Sequence, residues 1–442
     1  MWFFFKKLTV LGGTFVGLSG CLLSLPAWSL DMTQAYQMAL EKDPSFLANQ
    51  AYLRSLDSLS DQALQAVLPT ISVAAIRDSN QKTEVSNSGT SYRSATNYSA
   101  TLTQSLFDYS SLKGYQKIQT SLKKKDILDQ QYRAALMSKV LSAYTDVLIA
   151  KESVEASSLQ KQLAQRQAEL SEQQFEQGLL SEIERQESEI KAKQSHAAWL
   201  AAQHTFILKQ QAFRQIVGVP LESFSSVDLN LPSAIENNDA ALENNVMEAP
   251  EVKLANFDYE AAVLESEKQQ AKHLPTLSFS ANWKKGPYDV TGGTTSASSN
   301  RTYSLQLSVP IFSGFSVTSK AAEVRELEQK ALFELEDQKA KTQLKQQELS
   351  LGLETDFLQA QQAINFFKNK QMQQTYQETA LELGTRTDID VLYAKIQAQN
   401  AYVDALKAKV NLEKKWLELR SLLGKETEKT MTEMANRLFG KS

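Results

Sequence analysis

The sequence predicts an α+β protein in which long coiled-coil helices are joined to a small set of membrane-crossing strands, the whole plan written twice. Three observations predict it. The first is an internal echo: Phe175-x-x-Gly178-Leu179-Leu180-Ser181-Glu182-Ile183-Glu184 returns 206 positions later as Leu381-x-x-Gly384-Thr385-Arg386-Thr387-Asp388-Ile389-Asp390. Pro44 lies 24 residues before Leu68-Pro69-Thr70, and Pro250 lies 24 before Leu274-Pro275-Thr276. Repetition at a near-constant offset builds a pseudo-symmetric object. The second is the spacing of proline, which is absent from 70–219 and after 310, leaving tracts where long helices can run unbroken. The third is alternation of apolar and small polar residues just after each Leu-Pro-Thr.

The first 29 residues read as an export signal. Lys6 and Lys7 precede an apolar run over 8–25, and Ala27-Trp28-Ser29 fits a small-x-small cleavage site. Leu18-Ser19-Gly20-Cys21 offers a second processing route, acylation at Cys21. Cleavage after Ser29 is preferred, because the apolar run continues past Cys21. Loss of the two lysines takes the formal charge from −4 to −6, which provides no basic footprint for nucleic acid. Cys21 is the only cysteine, so the mature chain has no disulfide, thiolate nucleophile or cysteine metal site.

The repeats span 30–218 and 241–424, separated by a linker at 219–240 and followed by a tail at 425–442. In the first repeat the pattern predicts helices over 31–66, 111–177 and 183–217. In the second it predicts them over 241–272, 317–382 and 389–423. Leu112-Tyr115-Ile118-Leu122 and Val324-Leu327-Ala331-Leu335 show the mixed three- and four-residue spacing of a coiled coil. A helix over 111–177 reaches about 100 Å at 1.5 Å per residue. The two shorter helices of each repeat together match that length, so they are expected to stack end to end beside it.

Strands follow the Leu-Pro-Thr marks. Leu277, Phe279, Ala281 and Trp283 alternate with Thr276, Ser278, Ser280 and Asn282. Tyr303, Leu305, Leu307, Val309 and Ile311 alternate with Ser304, Gln306, Ser308 and Pro310. Ile71, Val73 and Ala75, then Tyr98, Ala100, Leu102 and Leu106, repeat the pattern in the first half. About ten residues with one apolar face fit a transmembrane strand, and a soluble sandwich strand shares the alternation. The intervening segments 77–95 and 286–301 are rich in Ser, Gly, Thr and Asn and are expected to be long exposed loops. Four strands cannot close a barrel, and open edges cannot face lipid. Several copies must therefore share one barrel. Tyr98, Phe107, Tyr109, Trp283, Tyr288, Tyr303 and Phe312 stand near strand ends, as interfacial girdles do.

Together, the export signal, helix lengths, strand pairs and Gly-centred turns resemble the TolC family of outer-membrane channels, from Leu30 to about Lys425. The stretch Gly384-Thr385-Arg386-Thr387-x-x-Asp390-Val391-Leu392 carries the resemblance most specifically. The resemblance implies a homotrimer with a twelve-stranded barrel in the outer membrane lipid and a helical barrel across the periplasm. The linker and tail would form a belt around it. It implies an exit duct for type I protein secretion or drug efflux, serving a periplasmic adaptor and an inner-membrane transporter of the ABC, RND or MFS class. At the periplasmic mouth it implies an acidic ring and an ion-pair lock. Asp390 matches one ring position and Tyr393 replaces the second, with Asp388 as an extra carboxylate. Glu182 and Glu184 supply the first turn's carboxylates. Arg386 and Glu184 match the lock, while Leu381 stands where the family has a locking tyrosine.

Gly178 and Gly384 centre the two turns. Ser181-x-x-Glu184 and Thr387-x-x-Asp390 are also capping boxes, which explain the same carboxylates through helix ends alone. His196 and His204 have no ligand pattern around them, so no metal and no cofactor is expected. Lys123-Lys124-Lys125 reads as a solvated helix face. Two rival readings use parts of these data. One is an exported coiled-coil adaptor or structural protein with a soluble β-domain. The other is an exported enzyme, which lacks a catalytic constellation.

Overall fold

The computed structural model describes residues 31–65, 67–82, 91–221, 227–231, 246–289, 295–425 and 428–440. The expected export signal, most of the expected linker, and residues 83–90 and 290–294 of the expected loops lie outside these. Nine α-helices among the described residues are joined to four strands. The helices are α1 (Met32–Lys42), α2 (Pro44–Leu64), α3 (Tyr109–Leu122), α4 (Lys124–Glu176), α5 (Glu182–Val217), α6 (Pro250–Ala271), α7 (Ser316–Glu382), α8 (Asp388–Leu422) and α9 (Glu428–Phe439). The strands are β1 (Thr70–Lys82), β2 (Ser91–Phe107), β3 (Thr276–Asp289) and β4 (Thr295–Ser308).

Three predicted helices are interrupted. The helix expected over 31–66 breaks at Asp43, whose ψ of 115° is extended. A residue before proline is pushed out of the helical region, while Pro44 is well placed at the first turn of a new helix. The Asp43 carboxylate caps that helix by accepting from the Phe46 N–H at 3.0 Å, and it pairs with Lys139 at 2.6 Å. The helix expected over 111–177 starts at Tyr109, capped by Asp108, and is interrupted at Lys123. In the second repeat the helix expected over 241–272 is interrupted: a short 3₁₀ turn at Val246–Glu248 precedes a helix that starts at Pro250, and residues 241–245 lie outside the described residues.

The helices form four rods side by side. The first rod is α1–α2 with α5, the second α3–α4, the third α6 with α8, and the fourth α7. Stacking within the first and third rods is close. A Cβ at Gly218, the left-handed end of α5, would lie 3.3 Å from Lys42 Cγ at the end of α1. A Cβ at Gly424, just beyond α8, would lie 3.0 Å from Pro250 Cγ at the start of α6. End-to-end stacking is thus present in both repeats, beside an α7 of 67 residues, about 100 Å long.

The apolar core concentrates near the middle of the rods. Met32, Tyr36 and Ala39 meet Leu141, Tyr144 and Leu148 of α4, Phe213 and Val217 of α5, Leu406 and Val410 of α8, and Met431, Met434 and Leu438 of α9. The tail therefore forms a helix packed against the midsection. Beneath it, Lys409 and Glu413 are fully buried. The Lys409 ammonium donates to the Asn230 carbonyl at 3.0 Å and also to that of Asp228, and Arg437 of α9 pairs with Glu413 at 2.7 Å. Burial pushes the Lys409 ammonium below its ordinary pKa, against the opposing pull of Glu413 and Asp228.

The strands form one antiparallel sheet in the order β1-β2-β3-β4. Pairing runs on to Lys82–Ser91 and Asp289–Thr295, so the long loops expected at 77–95 and 286–301 are largely strand. Their polar composition belongs to strand ends that project beyond an apolar band. Both outer strands leave an open edge. Ile71 and Val73 are 72% and 78% exposed, and Tyr303, Leu305 and Leu307 on β4 are exposed by about two thirds. A single chain thus leaves the predicted apolar face uncovered. Among the described residues no helix is long and apolar enough to cross a membrane.

Candidate functional site

The turns at the far end of the rods from the sheet hold the predicted site residues. Each long helix ends with a glycine at φ +72°, Gly178 after α4 and Gly384 after α7. The Leu179 N–H reaches the Gln174 carbonyl at 2.8 Å, and the Thr385 N–H reaches that of Ala380 at 2.9 Å. These hydrogen bonds satisfy helix-end carbonyls, and only glycine enters the required backbone region without strain. Both capping boxes then form. Glu184 accepts from the Ser181 N–H at 3.0 Å and Asp390 accepts from the Thr387 N–H at 3.0 Å, while Ser181 and Thr387 return the bond at 3.3 Å. Those backbone donors hold both carboxyls below their ordinary pKa.

Within one chain Arg386 and Glu184 are not brought together: Glu184 closes on Ser181, and the charge of Arg386 is felt by Asp390. Asp388 stands with Asp390 in the first turn of α8, where the helix dipole favours anions. Tyr393 is exposed, and it lines a cleft of about 530 Å³ between α7 and α8 with Met372, Tyr376, Gln377 and Asp390. An aromatic ring therefore stands where a second ring carboxylate was sought.

The strongest charge cluster at the turns centres on Arg185, a residue the sequence reading passed over. Its guanidinium forks onto Glu182 at 2.7 and 2.9 Å, reaches Glu172 on α4 at 3.0 Å, and approaches Glu189 at 3.6 Å. It also lies over the Phe175 ring at 5.5 Å. Hydrogen bonding from Arg185 lowers the Glu182 carboxyl to about 2. Glu182-x-x-Arg185 was visible as a helical ion-pair spacing, whereas Glu172 becomes a neighbour only once the hairpin folds. The second turn does this differently, with Val391 at the position of Arg185 and a Lys395–Glu378 pair at 3.3 Å.

Other singled-out residues fall outside the turns. The three lysines after α3 are each engaged rather than simply solvated: Lys123 over the Phe257 ring, Lys124 with Asp258, and Lys125 with Asp57 at 2.6 Å. They pin α4 to α2 and α6. His196 and His204 are exposed on α5, and His196 leans on Trp199. No group of three or more His, Cys, Asp or Glu among the described residues could hold a metal ion.

The profile of the family described as "Outer membrane efflux protein" matches residues 35–219 and 238–425, most of the chain in two blocks. The chain belongs to the outer membrane efflux protein family. Among its relatives, the alkaline protease secretion protein AprF of Pseudomonas aeruginosa is 26% identical over 95% of this chain and 89% of its own. The outer membrane protein TolC of Vibrio cholerae is 23% identical over 97% and 98%. The Campylobacter jejuni CmeC outer membrane channel shares the fold, with a TM-score of 0.69 at 14% identity over 92% of this chain and 89% of that one.

Family membership places the protein in the outer membrane of a Gram-negative bacterium, with the rods extending into the periplasm, as an exit duct for secretion or efflux. It favours the duct over the soluble adaptor. The four-stranded sheet then lies in the outer membrane, and the two turns stand at the opposite, periplasmic end.

Proposed function

We propose that this protein is the outer-membrane exit duct of a type I protein secretion system, working as a passive homotrimer with a periplasmic adaptor and an inner-membrane transporter. Residues 1–29 act as the export signal, the two repeats form the rods and strands, and the linker and tail form the belt. The observation that carries this reading is the pair of unclosed edges. The sheet ends in unpaired β1 and β4, and the rod layer ends in α5 on one side and α7 on the other. α7 exposes Leu344, Leu351 and Leu358 at seven-residue spacing, and α5 exposes Ile183, Ile190 and Ile207. Seven-residue spacing is the seam of a coiled coil awaiting a partner. Three copies give twelve strands, enough for a closed barrel, and the chain supplies no energy source of its own.

Protein cargo is favoured over small molecules by the likeness to AprF, whose name records alkaline protease secretion. At the mouth, Asp388, Asp390, Glu182 and Glu184 form the acidic rim. Arg386 of one hairpin pairs with Glu184 of another across the assembled trimer, sharing that carboxylate with its capping role. The test is to disrupt the gene and compare culture supernatant with drug tolerance. Loss of a secreted protein at unchanged tolerance supports the reading, and unchanged secretion with heightened drug sensitivity overturns it. The purified protein should also run as a detergent-resistant trimer that forms ion-conducting pores.

A further inference from the structure

The outward side of the sheet changes character along its height. Register places Ile71, Leu102, Ala281 and Tyr303 in one cross-strand row. Val73, Ala100, Trp283 and Arg301 form the next row on that face, then Ala75, Tyr98, Lys285 and Ser299. Directly paired residues share a face and alternate positions return to it, so Arg77 joins the same side. The 3.0 Å hydrogen bond from Trp283 Nε1 to Ser299 Oγ spans two of these rows and fixes their common face. Toward the helices this face carries Gln104, Phe279 and Leu305, then Leu277 and Leu307, and no charge. Toward the outer tips it carries Arg301, Lys285 and Arg77, all exposed.

From Leu277 to Lys285 is eight strand residues, about 27 Å along the strand and about 20 Å across the membrane at a tilt near 40°. That is close to the height of an apolar barrel band. The cations therefore sit at its outer rim, level with or just above Tyr98 and Trp283. Lys285 and Arg301 are diagonal neighbours on paired strands, about 7–8 Å apart, within reach of one phosphate. Arg77 lies two strands away, about 10 Å across the sheet. A guanidinium fork suits phosphate oxygens, and basic clusters beside a membrane bind anionic headgroups.

We propose that Lys285 and Arg301, flanked by Arg77, form an outward-facing site for the phosphorylated headgroup of an outer-leaflet glycolipid, lipid A. The site rests on the reading of the sheet as part of an outer-membrane barrel. Its orientation chooses the lipid: the helices fill the periplasmic side, so these cations face the leaflet in which lipid A resides. Three chains set the same cluster around the barrel, anchoring it at a fixed depth.

The test uses the intact oligomer in detergent and native mass spectrometry, with bisphosphorylated lipid A, its dephosphorylated form and inorganic phosphate as separate probes. The wild type should retain bisphosphorylated lipid A, and the double variant Lys285→Gln/Arg301→Gln should retain it on the order of tenfold less. The variant's single-channel conductance should match the wild type's. Equal retention of bisphosphorylated lipid A by variant and wild type overturns the site, as does equal retention of the dephosphorylated form by the wild type. Inorganic phosphate held as well as the lipid also overturns it, leaving an adventitious ion only. A wild type that neither oligomerises nor conducts would instead defeat the underlying barrel reading.

Discussion

At the residue scale the two turns solve one problem with different charges. Ser181–Glu184 and Thr387–Asp390 were legible as capping boxes because their partners are three residues apart, within one helical turn. The Arg185 cluster was legible only in part: Glu182 is three residues away, but Glu172 is 13 away and meets Arg185 only in the folded hairpin. The Glu182 carboxyl, normally near 4.5, is lowered to about 2. A depressed acid contributes stability above its unfolded pKa and loses it as pH falls through the folded value. The first turn should therefore loosen between pH 4.5 and 2, while staying indifferent to pH near neutrality. Hydrogen exchange across residues 172–189, corrected for intrinsic rates, should speed up in that window in the wild type. Arg185→Ala should exchange fast at both pH 6 and pH 3. A second prediction concerns the buried pair under α9. Arg437→Ala removes the salt-bridge partner of the fully buried Glu413 and leaves it only the charge of Lys409; breaking such a pair costs roughly 3–5 kcal/mol. A lowered thermal midpoint should show it, with much of the loss recovered in Glu413→Gln/Arg437→Met.

At the element scale, lengths and periodicities were readable, and joints were less so. The break at Asp43 had a signal, since an acid before proline both ends one helix and caps the next. The interruption at Lys123 had none in local propensity, because Lys123 keeps a helical φ of −61° and ψ of −21°. The strands outran their prediction because pairing continues into sequence whose composition resembles loops. Glycines at the joints separate two kinds of constraint. Gly384 has φ +72° and open space where a Cβ would go, so Gly384→Ala carries only the left-handed penalty of roughly 1–2 kcal/mol. Gly424 has φ +64° and would set its Cβ 3.0 Å from Pro250 Cγ and 3.1 Å from Cδ. Those ring atoms belong to the first turn of α6 and cannot swing aside. Gly424→Ala should lower the thermal midpoint more than Gly384→Ala, and equal shifts would mean that the joint between the rods is slack.

At the scale of the whole molecule, most of the surface that makes this chain a duct is surface that one chain cannot bury. The exposed leucines of α7 and the bare edges of the sheet have the same cause, an architecture completed by other copies. Leu351→Asp, placed mid-seam on α7, should abolish the detergent-resistant trimer while leaving helical content by circular dichroism unchanged. Persistence of the trimer would show that α7 is not in the seam. Gating belongs to this scale as well, because Arg386 and Glu184 do not meet within a chain. Glu184 and Asp390 are each already bound to their own helix end, so a lock on Glu184 can use only its remaining acceptor capacity. Exposed ion pairs contribute little individually and are screened by salt. Arg386→Ala should therefore raise single-channel conductance of the closed trimer, modestly, and raising the salt should narrow the conductance ratio of variant to wild type. Asp390→Asn would weaken the capping box and the rim charge together, and so cannot isolate the lock. Arg386→Lys does isolate it, since it keeps the cation and loses the planar fork. A lock that depends on charge alone should keep its wild-type conductance with lysine, and a lock that depends on forked hydrogen bonds should open as it does with alanine. Wild-type conductance in both variants would place the gate elsewhere, with the Arg185 cluster of the first turn as the next place to look.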